Sequence, residues 1–142
     1  MTRFQDKVVI VTGASAGIGE AASRQFADEG ARLVLASRGR ESLETLANSL
    51  PHAIAVPTDV GDDGACRALI EAAMTTYGRI DILVNNAGLH HRGPFLNNSA
   101  DDLADMVHIN LRAPVLLSRL ALAHMKRGAS IVNVASLAGR LA

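Results

Sequence analysis

A glycine-rich segment near the N-terminus has the spacing of a loop that binds phosphate. Gly13, Gly17 and Gly19 form a Gly-x-x-x-Gly-x-Gly pattern, which follows an apolar run and opens into a helical stretch. Gly13 permits a tight turn, Gly17 lets a pyrophosphate approach backbone N–H groups, and Gly19 lets a helix pack close to a strand. Ser15 adds a hydroxyl that can donate to a phosphate. A glycine triplet alone is weak evidence, but between a strand and a helix it predicts a dinucleotide site.

Ser37 and Arg38 follow the second apolar run of the chain. At this place a dinucleotide-binding fold that prefers NAD carries an acidic residue for the ribose 2′-hydroxyl, and here that acid is missing. A serine hydroxyl and a guanidinium, which offers paired donors and stays charged, suit a 2′-phosphate instead. The pair therefore predicts NADP, with NAD as the less favoured cofactor. The alternative is that Arg38 is a surface charge, since Arg40 shows that arginine is not rare here.

Polar and small residues also follow the third and fourth apolar runs. Asp59 could accept a hydrogen bond from an adenine amino group, or it could be a turn residue. The segment Asn85–Gly88, with the sequence NNAG, has a backbone that can pass close to a ribose. Paired amides at a strand end also act as structural clips, so both roles stay open for these asparagines.

These segments follow the strands of an alternating β/α pattern, which predicts an α/β fold with a parallel sheet. The predicted strands are Lys7 to Thr12, Arg32 to Ala36, Ala53 to Pro57, Ile80 to Asn85 and Ser130 to Ala135. The predicted helices are Gly17 to Glu29, Arg40 to Leu50, Asp62 to Tyr77 and one long helix from Ser99 to Arg127. Ser99, followed three residues later by Asp102, resembles a capping box and marks the start of this long helix. Strands that are apolar throughout their centres are typical of a sheet covered by helices on both faces. Ligands of such sheets bind beyond the carboxyl ends of the strands.

Length and composition exclude several classes of protein. The 142 residues correspond to one domain, residues 1–142, against a typical size of roughly 150 residues. The chain is 49% hydrophobic and 20% charged, which is typical of a folded globular protein. Its formal net charge is zero, so it lacks the basic excess that nucleic-acid binding requires. No apolar run approaches the length of a membrane span or a signal peptide, and we therefore expect a cytoplasmic protein.

The cysteine and histidine content predicts no metal site. Cys66 is the only cysteine and is expected to be a small buried side chain. His52, His108 and His124 show no ligand spacing with the cysteine or with carboxylates. His90 and His91 follow NNAG, where they could edge a substrate cleft or be surface residues of a loop.

The segments TGASAGIG, Asp59-Val60 and NNAG, in this order, resemble the short-chain dehydrogenase/reductase family over essentially the whole chain. The glycine spacing resembles the plain-sized branch of that family. The resemblance implies a Rossmann-type, doubly wound parallel sheet with strand order 3-2-1-4-5. It also implies an NAD(P) cofactor and reversible oxidoreduction of a small carbonyl or alcohol substrate. The cofactor-binding residues that we assign are Gly13, Ser15, Gly17, Ile18, Gly19, Ser37, Arg38, Asp59, Val60, Asn86, Ala87 and Gly88.

Two further residues acquire candidate catalytic roles from the resemblance. Ser136 matches the family serine whose hydroxyl binds the substrate oxygen, and donors aimed at a developing oxygen charge are among the larger catalytic effects. Asn110 matches the asparagine whose backbone carbonyl holds a proton-relay water. Pro114, four residues later, has no N–H, so within a helix it would leave the carbonyl of Asn110 without its usual partner and kink the helix.

The family's acid/base pair, a tyrosine with a lysine four residues later, is absent from these 142 residues. The only tyrosine is Tyr77, and the residue four positions later is Asp81, not a lysine. Tyr77 also belongs to an apolar stripe of its predicted helix, which favours a core position. We therefore expect the N-terminal part of a longer enzyme, without its last strands and its Tyr-x-x-x-Lys helix, and inactive alone. The resemblance implies homo-oligomers through the long helix. The alternative is a non-catalytic nucleotide-binding or assembly module, and the substrate itself stays open.

Overall fold

The computed structural model describes residues 2–139, which form a parallel sheet flanked by helices. The strands are β1 (Val8–Thr12), β2 (Arg32–Ser37), β3 (Ala53–Pro57), β4 (Ile82–Asn85) and β5 (Ser130–Asn133). The helices are α1 (Gly17–Asp28), α2 (Arg40–Asn48), α3 (Asp63–Tyr77), α4 (Ala100–Val107) and α5 (Ala113–Leu122). The strand order is β3-β2-β1-β4-β5, and every pair is parallel. The predicted Rossmann-type topology is confirmed.

The sheet is covered on both faces, which explains the continuous apolar runs. Alternate residues of β1 enter different layers, because successive side chains of a strand point to opposite faces. Val9 and Val11 pack in the layer that contains the buried residues of α1 and α2. Val8 and Ile10 pack in the layer formed by α3 and α5. All five residues of β1 are buried, so β1 is the centre of the fold.

The long helix predicted from Ser99 to Arg127 is divided in the structure. Ser99 caps α4 as predicted, since its hydroxyl accepts the N–H of Asp102 at 3.1 Å. Between α4 and α5 lies a segment of π-helix, His108–Arg112, which we call the π turn. The N–H of Ala113 donates to the carbonyl of His108, five residues back. Pro114, in the first turn of α5, has no N–H to continue the ladder, and such interruptions are typical next to proline.

Three predicted strands are shorter in the structure. β1 begins at Val8 instead of Lys7. β5 ends at Asn133 instead of Ala135, although the N–H of Val134 still donates to the carbonyl of Asn85. β4 begins at Ile82 instead of Ile80. Within the described part of the chain, no helix is long and apolar enough to cross a membrane.

Asp81 joins the start of β1 to the turn before β4. Its Oδ2 accepts the N–H of Val8 at 2.9 Å and the Nε–H of Arg79 at 2.8 Å, and the Lys7 ammonium lies 3.8 Å from Oδ1. Burial raises the pKa of this carboxyl, but the Arg79 and Val8 hydrogen bonds and the nearby charges outweigh burial. They hold the pKa below its ordinary value.

This lowered pKa predicts that Asp81 contributes to acid unfolding. As the pH falls, the carboxyl takes up its proton at a higher pH in the unfolded chain than in the folded one. The contribution of Asp81 to the free energy of unfolding is therefore complete above about pH 4 and is lost as the pH falls through the lower pKa of the folded state. Asp81→Asn should therefore flatten the fall in unfolding free energy between about pH 5 and pH 2, measured by urea unfolding. Asp105→Asn, at an exposed position of α4, is the matched control. A slope equal to that of the unmodified protein would contradict this role.

Candidate functional site

A cleft of about 410 Å³ lies at the carboxyl ends of β1, β2, β3 and β4. Eight of the residues singled out from the sequence line it: Gly13, Ser15, Ser37, Arg38, Asp59, Val60, Ala87 and Gly88. They come from four separate loops, and parallel strands bring these loops to one edge of the sheet. Leu89 and Ile109 complete the apolar part of the lining and were missed by the sequence analysis. No local signal marks Ile109, because it belongs to a helical segment whose pattern indicates only packing.

The glycine loop has the backbone that its spacing predicts. Gly13 and Gly17 have φ of +62° and +55°, a region that L side chains rarely adopt. A Cβ on Gly17 would meet nothing within 4 Å, so this position leaves room beside the start of α1. Ala16 supplies no side-chain cap to α1, and an uncapped helix N-terminus favours an anion such as phosphate. Ile18, in this first turn, is exposed.

Gly19 has a packing role. A Cβ added there would lie 2.1 Å from the carbonyl oxygen of Gly13 and 2.6 Å from Asn86 Nδ2. Only a residue without a side chain allows α1 to approach the loop this closely. Neither Gly17 nor Gly19 lies in the lining of the cleft itself.

Thr12 and Asn86 tie the glycine loop to the loop that follows β4. The buried Thr12 hydroxyl donates to the carbonyl of Val84 at 3.3 Å and accepts the N–H groups of Asn86 and Ala87, each at 3.0 Å. In return Asn86 Nδ2 donates to the carbonyls of Thr12 and Gly13 at 3.1 and 3.2 Å. The side chain of Asn86 is therefore a structural clip outside the cleft lining, whereas Ala87 lies in that lining. Sequence reasoning missed Thr12, whose partners are more than 70 residues away.

Removal of the Thr12 hydroxyl should loosen this clip. Thr12→Val leaves two backbone N–H groups without an acceptor, and we expect a loss of about 2 kcal/mol in unfolding free energy. Thr12→Ser, which retains the hydroxyl, should restore most of that loss. Chemical denaturation of both variants measures the difference, and equal stabilities would argue against the clip.

The end of β2 supplies a hydroxyl, from Ser37, and a guanidinium, from Arg38, to the cleft. Ser37 Oγ is buried and has no hydrogen-bond partner among the described residues. Buried polar atoms are normally paired, so an orphan beside a cleft indicates a place for a ligand atom or a water. Arg38 is exposed and makes no ion pair within residues 2–139, whereas Arg40 pairs with Glu44 at 3.2 Å.

Asp59, in the loop after β3, takes the turn-forming role, one of the two roles considered for it. Its Oδ1 accepts the N–H of Gly61 at 2.8 Å, which is a turn-forming bond, and the residue also lines the cleft. Behind this loop Cys66 is fully buried, as expected, and its thiol donates to the carbonyl of Val60. Burial, together with the nearby aspartates, raises the pKa of the Cys66 thiol to about 11, which makes it unreactive.

Asn110 lies in a second groove, of about 580 Å³, which begins at Ala87 and Gly88 and runs along α5. Its Oδ1 accepts the N–H of Leu89 at 2.8 Å, and its Nδ2 donates to the carbonyl of Leu89 at 2.7 Å. These two bonds hold the amide of Asn110 against the backbone of Leu89 and so fix the position of the Asn110 main chain beside the loop after β4.

Asn85, the first amide of NNAG, is buried between β4, β5 and α5. Its Nδ2 donates to Asn133 Oδ1 at 2.9 Å and to Ser118 Oγ at 3.2 Å. This arrangement is a clip between neighbouring elements. It supports the structural alternative for Asn85, while its Oδ1 is buried without a hydrogen-bond partner among the described residues and the residue also lines a groove along α5.

Ser136 follows the end of β5 and is exposed. Its Oγ accepts the N–H of Ala138 at 3.1 Å, and it belongs to neither groove lining. His91 Nε2 lies 3.9 Å from Asp102, and His90 is exposed. Among the described residues, no group of three or more histidine, cysteine and acidic side chains is placed to hold a metal ion.

Known proteins share this architecture. The family described as short chain dehydrogenase matches residues 7–142. A meso-2,3-butanediol dehydrogenase of Serratia marcescens is 43% identical over 96% of this chain and 56% of its own length. A solved short-chain dehydrogenase/reductase of Burkholderia phymatum, in complex with NAD, has a TM-score of 0.92 at 34% identity over 99% of this chain and 53% of its own. A blue fluorescent protein from a metagenomic library, in complex with NADPH, has a TM-score of 0.91 at 35% identity, over 96% and 59%. The chain thus spans between half and three fifths of the length of these relatives.

Proposed function

Because the chain belongs to the short-chain dehydrogenase family, we propose that it is the NADP(H)-binding portion of an oxidoreductase. The reaction is hydride transfer between the cofactor and a small carbonyl or alcohol substrate. The observation that carries this proposal is the convergence of four strand-end loops on one cleft. Residues 1–142 act in it as a single NAD(P)-binding domain.

The residues present fit a dinucleotide. Gly17 leaves space at the uncapped start of α1 for a pyrophosphate, and Gly13 and Ser15 lie at the adjoining wall of the cleft. The Ser37 hydroxyl and the Arg38 guanidinium, neither of which is paired within residues 2–139, supply donors where a ribose 2′-phosphate would be recognised. Asp59 and Val60 lie in the part of the cleft wall that would hold the adenine, and Ala87 and Gly88 would offer backbone to a ribose.

The preference for NADP over NAD rests on the residues that end β2. Solved neighbours carry either NAD or NADPH, so the family likeness alone favours neither cofactor. The absence of an acid at positions 37 and 38 removes the usual partner of a ribose 2′-hydroxyl. A permanently charged guanidinium stabilises the 2′-phosphate of NADP far better than it stabilises the 2′-hydroxyl of NAD.

Asn110 and Ser136 are the catalytic candidates of this portion. When bound, the nicotinamide supplies or accepts the hydride. The main-chain carbonyl of Asn110 would hold a water that relays a proton, since its side chain is committed to Leu89. The Ser136 hydroxyl would donate to the substrate oxygen as charge develops on it.

We further propose that the enzyme is cytoplasmic and homo-oligomeric. Support for self-association comes from exposed apolar side chains that recur along α4, the π turn and α5, namely Val107, Leu111, Val115 and Leu122. Contiguous apolar surface of this kind typically marks an interface between proteins.

Titration of the native gene product with NADPH tests the proposal. Enhanced NADPH fluorescence on binding, followed by carbonyl-dependent oxidation, supports an oxidoreductase. Binding without any carbonyl-dependent oxidation would favour a nucleotide-binding or assembly module. No binding of either NADPH or NADH would refute the assignment of the cleft.

A further inference from the structure

The π turn touches the loops that follow two different strands. On one side His108 Nε2 lies 2.7 Å from the carbonyl oxygen of Gly61, in the loop after β3. Because a carbonyl only accepts, Nε2 must carry the proton of this bond. On the other side Asn110 makes its two hydrogen bonds to the backbone of Leu89, in the loop after β4. One five-residue turn therefore spans from the loop of Asp59 to the loop of NNAG.

The contact with the loop after β3 is tightly packed. A Cβ placed on Gly61 would lie 2.9 Å from Ile109 Cδ1 and 3.5 Å from His108 Cδ2. The loop therefore rests directly against the π turn, and Ile109 reaches past it to line the cleft. Movement of the turn would displace this part of the cleft wall.

Arg112, the last residue of the π turn, anchors it to α3. Its guanidinium meets the carboxylate of Asp63 with both terminal nitrogens, and the Nη2 to Oδ2 distance is 2.7 Å. Such a two-pronged pair restricts direction as well as distance. Asp63 is the first residue of α3, so the anchor is attached to the same segment as Gly61.

A π turn needs support of this kind. π-Helical turns are rare, occur mostly as single turns inside α-helices, and are frequent at functional sites. Pro114 removes one α-helical hydrogen bond, but this loss does not fix the orientation of the π turn relative to the neighbouring loops. The contacts of His108 and Arg112 fix that orientation.

We propose that the π turn is a brace between the loops that follow β3 and β4, and that His108 and Arg112 are positioning residues for Asn110. The brace sets the distance between the two loops and thereby the place of the Asn110 main chain. The brace is inferred from the contacts alone. Only its importance for hydride transfer rests on the proposed function.

Amide hydrogen exchange in the ligand-free protein tests the brace. The N–H of Leu89 reports on the bond to Asn110, and the N–H of Leu33, which donates to the carbonyl of His52 within the sheet, reports on global unfolding. Arg112→Ala or His108→Ala should speed exchange at Leu89 about threefold or more, with Leu33 within about twofold. Arg3→Ala, which breaks the exposed pair of Arg3 with Glu29, is the matched control and should change neither amide.

Two further variants separate positioning from simple stabilisation. Asp63→Asn should speed exchange at Leu89 as Arg112→Ala does, and the double variant should exceed neither single one, since both remove the same contact. His108→Gln, which can still donate an N–H to Gly61, should restore slow exchange. Unchanged exchange at Leu89, or equal acceleration at Leu89 and Leu33, would overturn the proposal. Exchange is measured in the protein without cofactor, so the result at Leu89 does not depend on whether the protein binds NADPH.

Discussion

Replacement of Arg38 by aspartate is expected to weaken NADPH binding about a hundredfold and to change NADH binding by no more than about threefold. Arg38 lines the cleft beside Ser37 and makes no ion pair within residues 2–139, so its charge is available to a 2′-phosphate. The substitution removes a charge-assisted hydrogen-bonding partner and places a carboxylate against the phosphate. NADH lacks that phosphate and avoids both penalties. An aspartate here can also accept from the ribose 2′-hydroxyl of NADH.

Arg40→Asp is the matched control for Arg38. Arg40 is two residues away, carries the same charge, and is paired with Glu44 instead of lining the cleft. We expect its substitution to change the ratio of NADPH to NADH affinity by less than about fivefold, through the general field of the protein. Fluorescence titrations of both cofactors against each variant give that ratio. An equal effect of Arg38→Asp on NADPH and NADH would refute the assignment of NADP.

Gly19→Ala is expected to cause the largest loss of stability of any substitution considered for the site, about 4 kcal/mol or more. The added methyl carbon would lie 2.1 Å from the carbonyl oxygen of Gly13, which is backbone and cannot rotate away. It would also lie 2.6 Å from Asn86 Nδ2, and so would disturb the clip between Asn86 and Thr12. Relief of this contact requires α1 to move away from the sheet.

Gly17→Ala, in the same loop, should behave in a different way. Its φ of +55° disfavours alanine, so we expect a cost of about 1 kcal/mol, but no atom lies within 4 Å of the new methyl. The protein should stay folded and bind NADPH more weakly, because the methyl enters the space beside the start of α1. Denaturant unfolding and NADPH titration on both variants separate the two roles. If Gly19→Ala were as stable as Gly17→Ala, the packing role of Gly19 would be wrong.

Most of the sheet could be predicted from the sequence. β3 has the predicted bounds and β2 extends one residue further, because a strand covered on both faces shows as an apolar run between turns. The cap at Ser99 was predicted as well, since it depends on residues three apart. The resemblance to a known family supplied the strand order, which apolar runs alone do not contain.

The site also has a part that the sequence predicted and a part that only the tertiary structure determined. The glycine spacing and the polar or small residues after each strand by themselves predicted seven residues of the cleft lining, because parallel strands bring their carboxyl ends together, and the family resemblance added Val60. Only the tertiary structure decided that Asn86 is a clip held by Thr12 and that a π turn, not one long helix, carries Asn110. It also decided that Ser37 Oγ is buried without a hydrogen-bond partner in the part of the chain that the structure describes. These features depend on contacts between segments far apart in the chain, and a local pattern specifies which residues can form such contacts but not which partners they meet.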